Sequence, residues 1–176
     1  MSTNMVPAFQ TARLQLRQRS LADVNDYVAM DSDIEVRRYI GPDFRDDFDV
    51  ATYRSRLEQR MSLDAGEGFG WWSLRRIGDD KFVGMAILIP VALEGPEIEI
   101  GWRLPQDAWG HGYATEAASR IVKYAREDVA LREIIACIDP DNGRSIRVAT
   151  KLGFTRSGRK QAYDTEFDCY TLRLAP

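Results

Sequence analysis

The sequence predicts a single α+β domain, a mixed and mostly antiparallel sheet flanked by helices. Three observations carry this reading. Hydrophobic periodicities of 2 and 3.6 alternate in the order strand, helices, two strands, strand–helix–strand, helix, two strands. Gly78-Asp79-Asp80 separates two strand-like runs and signals a hairpin. Only the stretch from Glu97 to Ile138 has the form of a parallel crossover, so the repeated crossovers of a doubly wound fold are missing.

The elements follow in order. Arg13-Leu14-Gln15-Leu16-Arg17 alternates apolar and polar residues and reads as a first strand. Ser20-Leu21-Ala22-Asp23 has capping-box form, and Val24, Tyr27 and Val28 follow at helical spacing. Asp33 to Ile40 reads as a short second helix stopped by Gly41-Pro42, and Val50, Tyr53, Leu57 and Met61 mark a third. Gly70 to Arg76 and Phe82 to Ile89 form the hairpin, and Glu97 to Leu104 the next strand, with Glu97, Glu99 and Gly101 on one face. A helix from Gly112 to Val129 carries a buried stripe of Ala114, Ala117, Ala118, Ile121, Val122, Ala125 and Val129. Ile134 to Ile138 is wholly apolar and so central in the sheet. Asn142-Gly143-Arg144-Ser145 opens a short helix capped by Gly153; Phe154 re-enters the sheet, and Phe167 to Leu174 is the last strand.

Size and composition narrow the function classes. The 176 residues suffice for one domain with a full core, so the expected domain spans 1–176. The net charge of −3 argues against a nucleic-acid partner, which calls for a basic face. No apolar run is long enough to span a bilayer, and Met1 to Gln10 lacks the form of a signal peptide. Cys137 and Cys169 read as buried free thiols of a cytoplasmic protein. With His111 the sole histidine, neither a histidine-based metal site nor a Ser-His-Asp triad is expected.

The most informative run is Trp109-Gly110-His111-Gly112-Tyr113-Ala114-Thr115-Glu116-Ala117, between a strand and a helix. A glycine-rich turn that opens a helix gathers unpaired backbone N–H groups at the positive end of the helix dipole, which makes an anion site suited to phosphates. It is not a dinucleotide fingerprint, because Thr115 stands where the third glycine would be, and no P-loop lysine is present.

Three blocks, in this order and spacing, carry a family resemblance: Glu99-Ile100-Gly101-Trp102, the Trp109–Ala117 run, and Asn142 through Ser145 to Lys151-Leu152-Gly153-Phe154. On them the chain, from about Arg13 to Leu174, resembles the GNAT superfamily of acyl-CoA-dependent N-acetyltransferases, and within it the RimJ/RimL-like branch of ribosomal-protein N-acetyltransferases. The resemblance implies a seven-stranded sheet that splays at an acetyl-CoA site, with no metal. It implies cofactor contacts at Ile100, Trp102, Trp109, Gly110, His111, Gly112, Tyr113, Ala114, Thr115, Asn142 and Ser145. It implies acetyl transfer to a primary amine by direct attack in a ternary complex, in a monomer or homodimer. The acceptor class stays open between a protein N-terminus and a small molecule such as a polyamine, amino acid or antibiotic. A non-catalytic acyl-CoA sensor is the remaining alternative. Two departures stand out. Trp109 replaces the Gln or Arg that often begins the turn, and Ala149 replaces a tyrosine thought to protonate the leaving thiolate.

Acetyl transfer needs a base for the ammonium, donors for the oxyanion and a route for the departing thiolate. Glu99 is the favoured base and Glu97 the alternative; Ser145 is the favoured acid, or a hydrogen-bond donor to the sulfur. Asn142 either bonds pantetheine or orders the loop. His111 is discounted as a base, and Glu116 reads as a structural carboxylate in the first helical turn. Of Trp71 and Trp72, one is expected to line the acceptor pocket and the other to join the core. Arg37, Arg38 and Tyr39 read as a solvated helical face within reach of the acceptor, and Arg144 and Arg147 as residues flanking the CoA side.

Overall fold

The structure, a computed structural model, describes residues 5–174, apart from the side chain of Asp43; the ends of the expected 1–176 domain, including the first four residues of the segment tested for a signal peptide, lie outside that range. It is a single-domain α+β fold. The strands are β1 (Phe9–Gln10), β2 (Leu14–Gln18), β3 (Gly70–Arg76), β4 (Phe82–Pro90), β5 (Ile98–Arg103), β6 (Glu133–Ile138), β7 (Thr155–Ala162) and β8 (Thr165–Arg173). The helices are α1 (Val24–Asp31), α2 (Ile34–Arg37), α3 (Pro42–Asp46), α4 (Val50–Arg60), α5 (Tyr113–Glu127) and α6 (Gly143–Lys151). The sheet runs β1-β2-β3-β4-β5-β6-β8-β7, and β5–β6 is its parallel pair. Among the described residues no helix is long and apolar enough to cross a membrane.

Two expectations need correction. Among the described residues the sheet has eight strands rather than seven, because the two-residue β1 pairs with β2 through Phe9 and Leu16; two residues are too few to show a period. The segment after Gly41 is not a simple stop. Pro42 occupies the first turn of α3, where its fixed φ and missing N–H are tolerated, so it ends α2's neighbourhood and starts a new helix.

Strand alternation divides the core into two layers. On one face Leu14, Leu16, Trp72, Leu74, Ala86, Leu88 and Ile100 pack against α5, whose Ala117, Ala118, Ile121 and Ala125 are completely covered. The small alanines bring the helix close to the sheet, and each large side chain buried there contributes about 1.5–3 kcal/mol. On the other face Trp71, Met85 and Ile89 pack against Val24, Tyr27 and Val28 of α1 and Leu57 of α4. Trp71 and Trp72 therefore enter opposite cores, and neither is a free pocket wall as one was expected to be: Arg19 stacks over Trp71, while the Trp72 indole N–H donates to the Pro7 carbonyl at 2.8 Å.

A buried acid pins the second layer to the sheet. Asp23 is fully covered and accepts from Arg17, Arg75, Ser73 and the Ser20 N–H. Burial works to raise its pKa, but these hydrogen bonds outweigh it and hold the carboxyl below the usual range.

Candidate active site

The parallel pair β5–β6 meets at one register position, Glu99 opposite Ile135. Beyond it β5 continues against β4 as far as Met85↔Arg103, and β6 continues against β8 as far as Ile138↔Asp168. The two strands thus part at their C-terminal ends. The chain leaves β5 into the glycine turn and leaves β6 into α6, so both walls of the opening end in helix N-termini. Of two open surface depressions, one lies along the outer side of α5, lined by Thr11, Glu116, Arg120 and Lys123, and one at the far end of the sheet, lined by Thr155, Thr171 and Arg173.

The turn is built from main chain. Gly110 and Gly112 both have positive φ, 79° and 80°, and Gly112 is the left-handed N-cap of α5. A Cβ on Gly110 would meet nothing within 4 Å, so the backbone there is open to approach. The first N–H groups of α5, at Tyr113, Ala114 and Thr115, have no partner within the helix and carry the positive end of its dipole. Trp109 is fixed by its indole N–H donating to the Leu104 carbonyl at 2.8 Å. His111 is exposed and its ring stacks on Tyr113.

Arg13 braces this turn, a role sequence reasoning missed. Its Nη1 donates to the His111 carbonyl at 2.8 Å, its Nε donates to Glu116 at 2.7 Å, and its guanidinium lies over the Tyr113 ring. Glu116 also accepts from the Thr11 hydroxyl at 2.6 Å. Burial works to raise the Glu116 pKa, yet the Thr11 and Arg13 hydrogen bonds leave it lowered, so it stays a charged strut. From the other wall Arg144 of α6 places its guanidinium 3.9 Å from the centroid of the Trp109 ring. Asn142 caps α6, its Oδ1 accepting from the Ser145 N–H at 3.2 Å. Ala149 is completely buried in the α5 core.

The carboxylates at the opening differ sharply. Glu97 precedes β5, is exposed, and accepts from Lys160 at 2.8 Å, a hydrogen bond that lowers its pKa. Glu99 is buried at the apex where β5 and β6 touch, 6% exposed. The Tyr163 hydroxyl, from the turn between β7 and β8, donates to Glu99 Oε2 at 2.6 Å and accepts from the Ala92 N–H at 3.2 Å. Burial raises the Glu99 pKa, with hydrogen bonds from Tyr163 and Cys137 opposing it. Burial likewise pushes up the Cys137 thiol, which sits opposite Cys169 across β6 and β8. Both cysteines are free and half-buried.

Farther along the same face lies a second buried acid. Asp31 is fully covered and pairs with Arg103 at 2.9 Å; the Tyr53 hydroxyl also donates to it, and Arg37 donates to its main-chain carbonyl at 2.6 Å. Burial pushes the Asp31 pKa up against the pull of Arg103. Phe44 lies under Arg103 and Phe48 under Arg37. Arg37 is therefore buried, not part of a solvated helical face; Arg38, paired with Glu35, is the exposed one. Neither Asp31 nor Tyr163 gave a sequence signal, because each acts through a partner far away in the chain.

Comparison with known proteins agrees with this geometry. Residues 13–155 match the acetyltransferase (GNAT) domain. The chain is 27% identical over 164 residues to the uncharacterized N-acetyltransferase YoaA of Bacillus subtilis, covering 90% of this chain and 89% of that protein. It is 30% identical over 164 residues to the FsC-acetyl coenzyme A-N(2)-transacetylase of Aspergillus fumigatus, covering 88% and 68%. Its fold superposes on an acetyltransferase from Agrobacterium tumefaciens with a TM-score of 0.75 at 23% identity, covering 96% and 95%. The eight-stranded splayed sheet, the glycine turn at the start of α5 and these matches together establish that the chain belongs to the GNAT acetyltransferase family.

Proposed function

We propose that this protein, read as one domain over 1–176, moves an acetyl group from acetyl-CoA to a small primary amine by direct attack, with Glu99 as the base. One observation carries the reading: a buried carboxyl of raised pKa stands at the apex of the β5–β6 opening. A base whose pKa has moved toward neutrality matches the task of taking a proton from an ammonium near neutral pH. Glu97, held low by Lys160 and open to solvent, fits that task poorly.

Acetyl-CoA supplies the acyl group as an activated thioester. The main-chain N–H groups of Gly110, Gly112, Tyr113 and Ala114 hold its diphosphate, with Trp109, His111 and Thr115 completing the turn. The edge of β5 at Ile100 and Trp102, on the side away from β4, offers main-chain groups to the pantetheine amides. Glu99 takes the proton from the acceptor ammonium, directly or through one water. Ser145, oriented by Asn142 at the start of α6, hydrogen-bonds the departing sulfur. Ala149 has no proton to give, so the thiolate leaves through Ser145 or solvent.

The name of the Aspergillus relative, an N(2)-transacetylase, supports a small-molecule amine. The family match covers the GNAT domain as a whole and does not favour the RimJ/RimL branch or a protein N-terminal acceptor.

The test is release of CoA thiol from acetyl-CoA against a panel of polyamines, amino acids, hydroxylated amines and short peptides. Turnover with one or more small amines is expected. It should rise with pH through the raised Glu99 pKa, because the base works only when ionised. Glu99→Gln should lower kcat by roughly 10²–10⁴-fold. Turnover of peptides alone would overturn the acceptor reading; full activity of Glu99→Gln would overturn the base.

A further inference from the structure

We propose that Tyr163 is the positioning residue for Glu99, its hydroxyl fixing which way the buried carboxyl faces in the β5–β6 opening. The inference rests on the reading of Glu99 as the base and extends it to a residue on a separate hairpin.

The hydrogen-bond directions are determined by chemistry. The Ala92 N–H can only donate, so it occupies a lone pair of the Tyr163 oxygen at 3.2 Å. The hydroxyl proton is thereby directed at Glu99 Oε2, 2.6 Å away. Such a bond is stronger to a carboxylate than to a neutral acid, so Tyr163 favours the ionised form that burial opposes. Tyr163 thus holds Oε2, while Cys137 also hydrogen-bonds the carboxyl.

The backbone around Tyr163 is shaped for this contact. Tyr163 and Asp164 form the β7–β8 turn with φ of 51° and 59°, a left-handed conformation that bulky residues rarely adopt. A hairpin turn of this kind ordinarily carries Asn and Gly. Tyrosine here is only partly covered, 42% exposed, and its hydroxyl is the part that reaches the buried Glu99. Its carbonyl oxygen would be 3.0 Å from a Cβ on Gly41, so the turn seats against the start of α3. Other ionisable groups face Glu99 from β6, β8 and β7. Cys137 on β6 has a thiol pushed up by burial, Cys169 on β8 lies beyond it, and Lys160 on β7 is engaged by Glu97.

The experiment is a pH titration of the Glu99 carboxyl by carbon-13 NMR in ligand-free protein labelled at glutamate, with Glu99→Gln used to assign the signal. Tyr163→Phe deletes only the hydroxyl. It should move the Glu99 titration upward by about one pH unit, a tenfold change in its ionisation constant. With acetyl-CoA and the best small amine of the panel, the acid limb of kcat should shift the same way, while KM for acetyl-CoA stays unchanged. An unmoved Glu99 titration in a folded Tyr163→Phe protein would overturn the proposal and leave the base reading standing. A shifted titration with a fully active Glu99→Gln would instead overturn the base reading, and with it any catalytic purpose for the contact.

Discussion

The two faces of the sheet are held by different chemistry. On the α5 face the groups turned toward a ligand are main chain, braced from behind by Arg13 and Glu116: two left-handed glycines, a helix start and the free edge of β5. On the α1–α4 face, and at the hairpin that closes it, they are side chains brought from distant places. Asp31 meets Arg103 across 72 residues of sequence, and Glu99 meets Tyr163 across 64. A site made of amides tolerates almost any side chain except one placed where the ligand must approach. A site made of buried charged pairs tolerates little, because losing one partner strands the other.

The contrast gives paired expectations, the larger first. Asp31→Ala removes the carboxylate that pairs with the partly buried Arg103 and accepts from the Tyr53 hydroxyl, and should cost about 3 kcal/mol of folding stability, read by urea unfolding. Its affinity for acetyl-CoA, measured below the unfolding transition, should hardly change. Gly112→Glu does the opposite. A Cβ there would be 3.4 Å from Arg13, in a backbone conformation that costs a side chain about 1–2 kcal/mol, so the fold should survive. The added carboxylate in the anion site should weaken acetyl-CoA binding by roughly 100-fold, or about 2.7 kcal/mol, by calorimetry. If each substitution damages stability and binding alike, the two faces are not separable in this way.

The same division explains how much could be read from the chain. The glycine turn, the alanine stripe and the β3–β4 hairpin are local patterns, and the structure places them at Gly110–Gly112, α5 and Gly70–Pro90 as the periodicity implies. Sequence parity put Glu97 and Glu99 on one face, but parity says nothing of depth. Glu97 lies ahead of β5 in reach of Lys160, and Glu99 lies where β6 covers it. Arg13 looked like an ordinary polar residue of an alternating strand; its grip on His111 and Glu116 arises only because β2 runs beside the start of α5. Asp31 and Tyr163 were silent because each contact is written in two places at once, 72 and 64 residues apart.

A crystal structure with bound acetyl-CoA tests the central claim most directly. The diphosphate should lie within hydrogen-bonding distance of the Gly112, Tyr113 and Ala114 amides, with the thioester beside Glu99 in the gap between β5 and β6. Cofactor bound at any other part of the molecule, or a gap that stays closed at saturating acetyl-CoA, would contradict it.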